Sequence, residues 1–207
     1  MIAPLSGFFN LFNTKSISHE EFAEIAPILE ENTDQIQLMF SNLFNWAESQ
    51  KDGFTLSKQE VKIQDVFETI QNTFSQKCLN EKLTFRIKPC TDLNKTVFAN
   101  PEHLRQIFRN LVHNAIKFTP NGGEIELGCE ETPSGAQLYV SDTGVGMDDD
   151  AIERLTVKLE RFTKNGTRNE KGTGFGLQVC QTFLDLNRTK LQVDSELGKG
   201  SKFYFYL

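Results

Sequence analysis

Apolar residues along this chain recur at two periods, one of three to four residues and one of two, and the switches between them divide the chain into elements. From Ser18 to about Lys51 the series Phe22, Ile25, Leu29, Asn32, Ile36, Met39, Leu43 and Trp46 advances by alternating threes and fours. That is an a/d seam, and it predicts one long amphipathic helix. Ser18 and Glu21 form a capping-box pattern at its start, and Pro27 kinks it or marks its true beginning. A single stripe of this kind cannot bury itself. Residues 2–13, with Leu5, Phe8, Phe9, Leu11 and Phe12, supply a second apolar helix, separated by the polar turn Asn13–Ser18. The expectation for residues 1–51 is an antiparallel helical hairpin, with Asn32 setting register inside the seam.

Asp52-Gly53 breaks the helical period, and a second domain is expected over 55–207. There, helix and strand patterns alternate. Val66–Leu79 places Val66, Phe67, Ile70 and Phe74 on one helical face, with Asp65 as its expected cap. Leu83–Ile87 and Lys95–Phe98 read as short strands, and Pro101 opens a helix continuing through Glu102–Phe118. Ile125–Cys129 and Gln137–Ser141 alternate as strands, Phe175–Leu186 has helical spacing, and Leu191–Val193 and Lys202–Leu207 close the chain as strands. The predicted fold class is α+β, a mixed sheet with helices layered on it. Arg161–Gly174, with little apolar content, reads as a long polar loop.

Composition narrows the function classes. The net charge is −6 over 207 residues, so a nucleic-acid grip, which calls for a basic face, is not expected. No apolar run reaches about 18 residues, and the N-terminus lacks a signal-peptide pattern. A cytoplasmic chain is expected, or the soluble part of a membrane-anchored sensor. Cys78, Cys90, Cys129 and Cys180 lie far apart without a CxxC pair, so zinc is not expected and all four are expected to be reduced.

Three clusters carry chemistry. Asn110, Asn114 and Lys117 stand at i, i+4 and i+7 on the helix after Pro101, so one face presents two amides and an ammonium. An amide oxygen is a hard ligand suited to Mg²⁺, and a lysine suits phosphate as a point charge. Asp142-Thr-Gly144-Val-Gly146-Met147 follows a strand; its glycines allow close backbone approach, and its carboxylate can accept a hydrogen bond from an exocyclic amine. Gly172-Thr173-Gly174-Phe175-Gly176-Leu177 opens a helix, where successive N–H groups and the helix dipole favour an anion. Each cluster alone is weak. The last is neither a dinucleotide fingerprint nor a Walker loop.

In sequence, and followed by Gly198-Lys-Gly200-Ser201-x-Phe203, the three resemble the nucleotide-binding fold shared by histidine kinases, type II topoisomerases, one class of heat-shock chaperones and MutL-type repair proteins. The second glycine box and the closing Glu196–Phe203 hairpin resemble the sensor histidine kinase branch. The resemblance implies Mg-ATP as ligand, with Asn114 on the metal and Asn110 supporting it or sharing the metal. It implies Lys117 on phosphate and Asp142 on adenine, with Gly144, Gly146, Met147 and Ser201 around the base. It also implies Gly172, Thr173, Gly174, Phe175, Gly176 and Leu177 around the phosphates, under a lid at 163–171. In the hydrolysing branches a glutamate stands where Asn110 stands here. An amide cannot serve as a base for water, which favours transfer to an imidazole. Two departures are Thr156, where a lid aromatic is expected unless Phe162 replaces it, and Asn187-Arg188-Thr189 in place of a glycine pair.

The phosphoacceptor is the missing element. His113 adjoins the expected metal ligand, and His103 is expected at the surface. His19-Glu20 imitates the opening of an acceptor box, but its proline should stand at position 24, which is glutamate. Met1–Leu5 resembles the tail of that box instead, so the acceptor is expected just before residue 1. The implied function is ATP-dependent protein-histidine phosphotransfer in two-component signalling. The implied partners are a response-regulator receiver domain and a second copy, joined through the hairpin in the full-length protein. The alternatives are a related ATPase or serine kinase, and a nucleotide-sensing scaffold without transfer.

Overall fold

In a computed structural model, the described residues are 58–133, 135–156, 166–167 and 176–207, all within the unit Trp46–Leu207. The expected hairpin of residues 1–51, with His19, lies outside them.

Among the described residues, four helices and seven strands follow in the order β1 (Gln59–Lys62), α1 (Ile63–Asn80), β2 (Thr84–Lys88), β3 (Thr96–Ala99), α2 (Pro101–Phe118), β4 (Glu124–Thr132), β5 (Gly135–Asp142), α3 (Asp149–Thr156), α4 (Gly176–Leu186), β6 (Gln192–Glu196) and β7 (Gly200–Tyr206). Five strands form the main sheet in the order β2-β4-β5-β7-β6. Only β2 and β4 run parallel, so the sheet is mixed. A separate antiparallel pair joins β1 to β3, with Val61 opposite Val97.

The core follows from the periodicities. Ile125, Leu127 and Cys129 of β4, Leu138 and Val140 of β5, and Phe205 of β7 are buried with Phe67 and Ile70 of α1, Ile107, Phe108 and Leu111 of α2, and Val179, Phe183 and Leu184 of α4. Phe108 is the hinge of this packing. Its ring meets Phe67 edge-on at 5.4 Å and Phe205 at 5.7 Å, joining α1, α2 and β7. Rings in such pairs add to the area they bury, and truncating Phe108 would remove both partners at once. The opposite face of the sheet carries Tyr139, whose hydroxyl donates to Glu126 at 2.6 Å while Lys202 Nζ stands 4.2 Å from its ring centroid.

Helix ends show where local chemistry decides. Asn100 caps α2: its side-chain oxygen accepts from the Glu102 and His103 N–H groups at 2.9 and 3.0 Å, with Pro101 at the first helical position. The expected Asp65 cap of α1 is not made. The helix begins at Ile63, directly on β1, its N-cap Lys62 makes no side-chain capping bond, and Asp65 sits inside the first turn. Pairing of β1 with β3 sets that start, overriding the local signal. Both α1 and α4 end in a Schellman pattern with a side-chain-bearing residue in the left-handed position. Thr189 N–H donates to Leu184 O and Arg188 N–H to Asp185 O around Arg188 at φ 61°. Leu83 N–H donates to Cys78 O and Lys82 N–H to Leu79 O around Lys82 at φ 55°. The first is the departure Asn187-Arg188-Thr189: arginine occupies the conformation that glycine would adopt at less cost.

Two further expectations are corrected. Cys90 and Cys129 are joined in a disulfide, with Cα atoms 4.9 Å apart. Their separation of 39 residues gave no hint of pairing. It is the parallel register Lys88↔Gly128 that brings the end of β2 beside the middle of β4. Cys78 and Cys180 remain thiols, both buried. His103, expected at the surface, is buried, its ring stacked on Phe183 at 4.0 Å and 12° between planes. Burial holds its imidazole below the usual histidine range, with Glu102 opposing. No helix among the described residues is long and apolar enough to cross a membrane.

Candidate nucleotide site

The C-terminal half of α2 carries Asn110, Asn114 and Lys117, but the three are not equivalent outward-facing polar groups. Asn110 is 1% exposed and Lys117 7%, while Asn114 is half-buried. Asn110 faces the start of α4. Its Nδ2 donates to Gln106 O at 3.0 Å, and its Oδ1 stands 3.0 Å from where a β-carbon on Gly176 would lie. It also hydrogen-bonds Cys180, whose thiol is pushed up by burial and whose Sγ lies 3.8 Å from Ile107 O. The side chain of Asn114, one turn on, makes no hydrogen bond among the described residues. Lys117 Nζ stands 5.0 Å from the Phe118 ring centroid. Of residues 163–171 only Gly166 and Thr167 are described. Thr167 is tethered to α2 through its N–H and Oγ1, which donate to Lys117 O at 3.0 and 3.2 Å.

The loop after β5 closes on the same helix end. Val145 N–H donates to Phe118 O at 3.0 Å, so the segment following Asp142 is pinned to the last turn of α2. Gly144 lies so close that a β-carbon would collide with Phe118 O and stand 2.6 Å from Asp142 Oδ1; this is a position for glycine because of contact. Gly146 is glycine for conformation as well, at φ 63° and against Glu196 O. On the far side, Gly198 N–H donates to Val145 O at 2.8 Å and Met147 N–H to Ser195 Oγ at 2.9 Å. The loop is thus held from α2 on one side and from the β6–β7 hairpin on the other.

Asp142 ends β5 opposite Ser201 of β7. Its Oδ1 accepts from Gly144 N–H at 2.8 Å, and Ser201 N–H also donates to it. Those bonds favour the carboxylate, yet burial outweighs them and pushes the group up to about 6. A buried acceptor beside two glycines suits a ligand that brings its own donor.

Gly176 and Leu177 form the first turn of α4, packed antiparallel on α2 through Asn110 against Gly176, Ile107 against Cys180, and His103 against Phe183. Gly172, Thr173, Gly174 and Phe175 lie outside the described residues, as do Phe162 and the side chain of Thr156. Asn110, Asn114, Lys117, Asp142, Gly144, Gly146, Met147, Gly176 and Ser201 therefore gather around one end of the sheet. The reading from sequence missed Ser195, whose only signal is its register opposite Ser201. Among the described residues there is no cluster of three or more His, Cys, Asp or Glu able to hold a metal by itself.

Residues 99–207 match the family model described as histidine kinase-, DNA gyrase B-, and HSP90-like ATPase. The autoinducer 2 sensor kinase/phosphatase LuxQ of Vibrio vulnificus is 25% identical over 208 residues, covering 97% of this chain and 24% of its own length. The chain spans about a quarter of the length of such curated relatives. Among solved structures, the catalytic domain of histidine kinase ThkA aligns with a TM-score of 0.62 at 21% identity, over 72% of this chain and 94% of its own. ThkA in complex with the response regulator TrrA aligns at 0.68 and 18% identity, over 96% of this chain and 55% of that one. The mixed sheet with its helical layer is the fold these catalytic domains share.

Proposed function

Since the chain belongs to the histidine kinase-, DNA gyrase B-, and HSP90-like ATPases and carries their ATP-binding catalytic domain, we propose that it binds Mg-ATP and passes the γ-phosphoryl group to a histidine on a dimerisation hairpin. Residues 55–207 form the catalytic domain in this reading, and 1–51 contribute to the hairpin. The phosphorylated histidine then serves the receiver domain of a response regulator.

One observation carries the proposal: Val145 N–H bonded to Phe118 O fastens the Asp142 loop to the helix end bearing Asn114 and Lys117. That bond supports reading Asp142 as the base acceptor and Asn114 with Lys117 as phosphate contacts of one site. Asp142 accepts from the adenine amine, with Gly144, Gly146, Met147 and Ser201 against the base. Asn114 offers its amide oxygen to Mg²⁺, and Lys117 neutralises phosphate charge. The N–H groups of Gly172–Leu177 cradle the phosphates in this reading. Mg²⁺ supplies charge neutralisation across the phosphate oxygens. Asn110, turned toward Gly176 and Cys180 and lacking basicity, neither deprotonates water nor competes for the γ-phosphoryl group. It supports Asn114 by fixing α4 against α2.

The test is direct. The chain is incubated with γ-labelled ATP and a separate hairpin bearing a histidine box. Acid-labile phosphate on that hairpin is expected. Steady phosphate release into water would mark an ATPase, and binding without transfer a sensing scaffold.

A further inference from the structure

Three residues line up across three adjacent strands on the helix-facing side of the sheet: Asp142 of β5, Ser201 of β7 opposite it, and Ser195 of β6 opposite Ser201. The first two are the proposed base-contacting pair. Ser195 has no role in that reading, yet its hydroxyl has the fullest set of contacts of the three side chains. Its Oγ accepts from Met147 N–H at 2.9 Å, donates to Gly200 O at 2.9 Å, and lies 2.9 Å from Ser201 Oγ.

A hydroxyl has one proton to give and two lone pairs. Ser195 gives its proton to Gly200 O, and Met147 takes one lone pair. The remaining lone pair faces Ser201, so in the contact between the two serines Ser201 is the donor. Ser201 is left with lone pairs only to offer beyond this contact, and beside it Asp142 also accepts. From this geometry we infer that Ser195 is a specificity-determining residue. It fixes the Ser201 proton away from the pocket, so that the row presents acceptors alone and selects a base with an exocyclic amine over one with a carbonyl at the same edge. Its second contact, to Met147 N–H, holds the glycine loop at the distance this recognition requires. Ser195 works through Ser201 and Met147; it is a positioning residue, without contact to the reacting phosphates.

This inference rests on the proposed nucleotide site and has its own test. Affinities of the full chain for Mg-ATP and Mg-GTP are measured by calorimetry for the wild type, Ser195→Ala and Ser195→Thr. The wild type is expected to prefer ATP. In Ser195→Ala the Ser201 hydroxyl is free to donate to a guanine carbonyl, and the ATP:GTP ratio should shrink roughly three- to tenfold, the scale of one hydrogen bond. Ser195→Thr, which keeps the hydroxyl, should restore it. A merely structural effect would lower both affinities together and leave the ratio where it was. Amide exchange at Met147 should quicken in Ser195→Ala with no nucleotide present. Should that variant not fold, Ser201→Ala supplies the same comparison, since losing the acceptor should cost ATP more than GTP. A wild type binding neither nucleotide sinks the site itself. A wild type that prefers ATP, with an unaltered ratio in Ser195→Ala or, if that variant does not fold, in Ser201→Ala, sinks this inference alone.

Discussion

The carboxamide oxygen of Asn110 and the α-carbon of Gly176 face each other so closely that a β-carbon on the glycine would stand 3.0 Å from that oxygen. The contact sets how near the first turn of α4 comes to the polar face of α2. Ordinarily alanine is the better helix former, by about 1 kcal/mol. Here Gly176→Ala should instead destabilise the domain and weaken nucleotide binding, because Asn110 is buried and held by Gln106 O. In an Asn110→Ala background the same substitution should be neutral or stabilising. A double-mutant cycle by thermal denaturation should give a coupling on the order of 1 kcal/mol; an additive pair would refute the contact.

Asp142 gives the site a pH dependence. Its folded-state pKa, pushed up to about 6, lies above the ordinary carboxylate value near 4. The group's contribution to stability is therefore fully present below about pH 4 and lost as the pH rises through about 6. In the proposed reading adenine recognition runs the opposite way, since the ionised carboxylate is the stronger acceptor for the amine. Nucleotide affinity should fall on acidification through about pH 6, by about tenfold at pH 5, with proton release on binding near pH 5.5. Calorimetry in buffers of different ionisation enthalpy reads both. Asp142→Asn should bind more weakly and lose the pH dependence; a wild-type affinity flat from pH 5 to 7 would contradict the assignment.

Arg188 and Lys82 hold left-handed backbone conformations at the ends of α4 and α1. Glycine adopts this conformation without the steric penalty of a β-carbon. Arg188→Gly and Lys82→Gly should each stabilise the fold by about 1 kcal/mol, raising Tm by roughly 2–4 °C, with the two effects additive. Neither side chain belongs to the nucleotide site, so ATP affinity should not change.

The Cys90–Cys129 bond ties the segment after β2 to the middle of β4. Reduction with a dithiol should lower stability by about 2–4 kcal/mol, judged from the length of the closed loop. Thiol titration of the unfolded chain without reductant should find two reactive groups fewer than after reduction. Cys90→Ser should reproduce the loss of stability and make the protein insensitive to reductant.

Much of this architecture was written in the apolar spacing. α2 was legible because Leu104, Ile107, Phe108, Leu111 and Ala115 keep a helical period and Asn100-Pro101 mark its start. Asn114, Lys117 and Asp142 stood out as candidates because they stand beside glycines and amides whose chemistry is local. What escaped depends on partners distant in sequence. Gln59-Glu60-Val61-Lys62 has a single apolar residue and becomes a strand only against Val97. His103 reads as polar until Phe183 covers it, and the cysteine pair needs the parallel register of β2 on β4. Ser195 is a serine in a polar hairpin until strand pairing sets it beside Ser201.

Lys117 acts through two different atoms. Its ammonium is placed toward the phosphates in the proposed reading, whereas Thr167 hangs from its carbonyl, which every amino acid possesses. Anchorage of Thr167 is thus indifferent to which side chain stands at position 117, and charge can be tuned there, from lysine to arginine to a neutral methionine, without releasing it. Charge at this position and the tether of Thr167 are independent variables, free to drift apart within one residue.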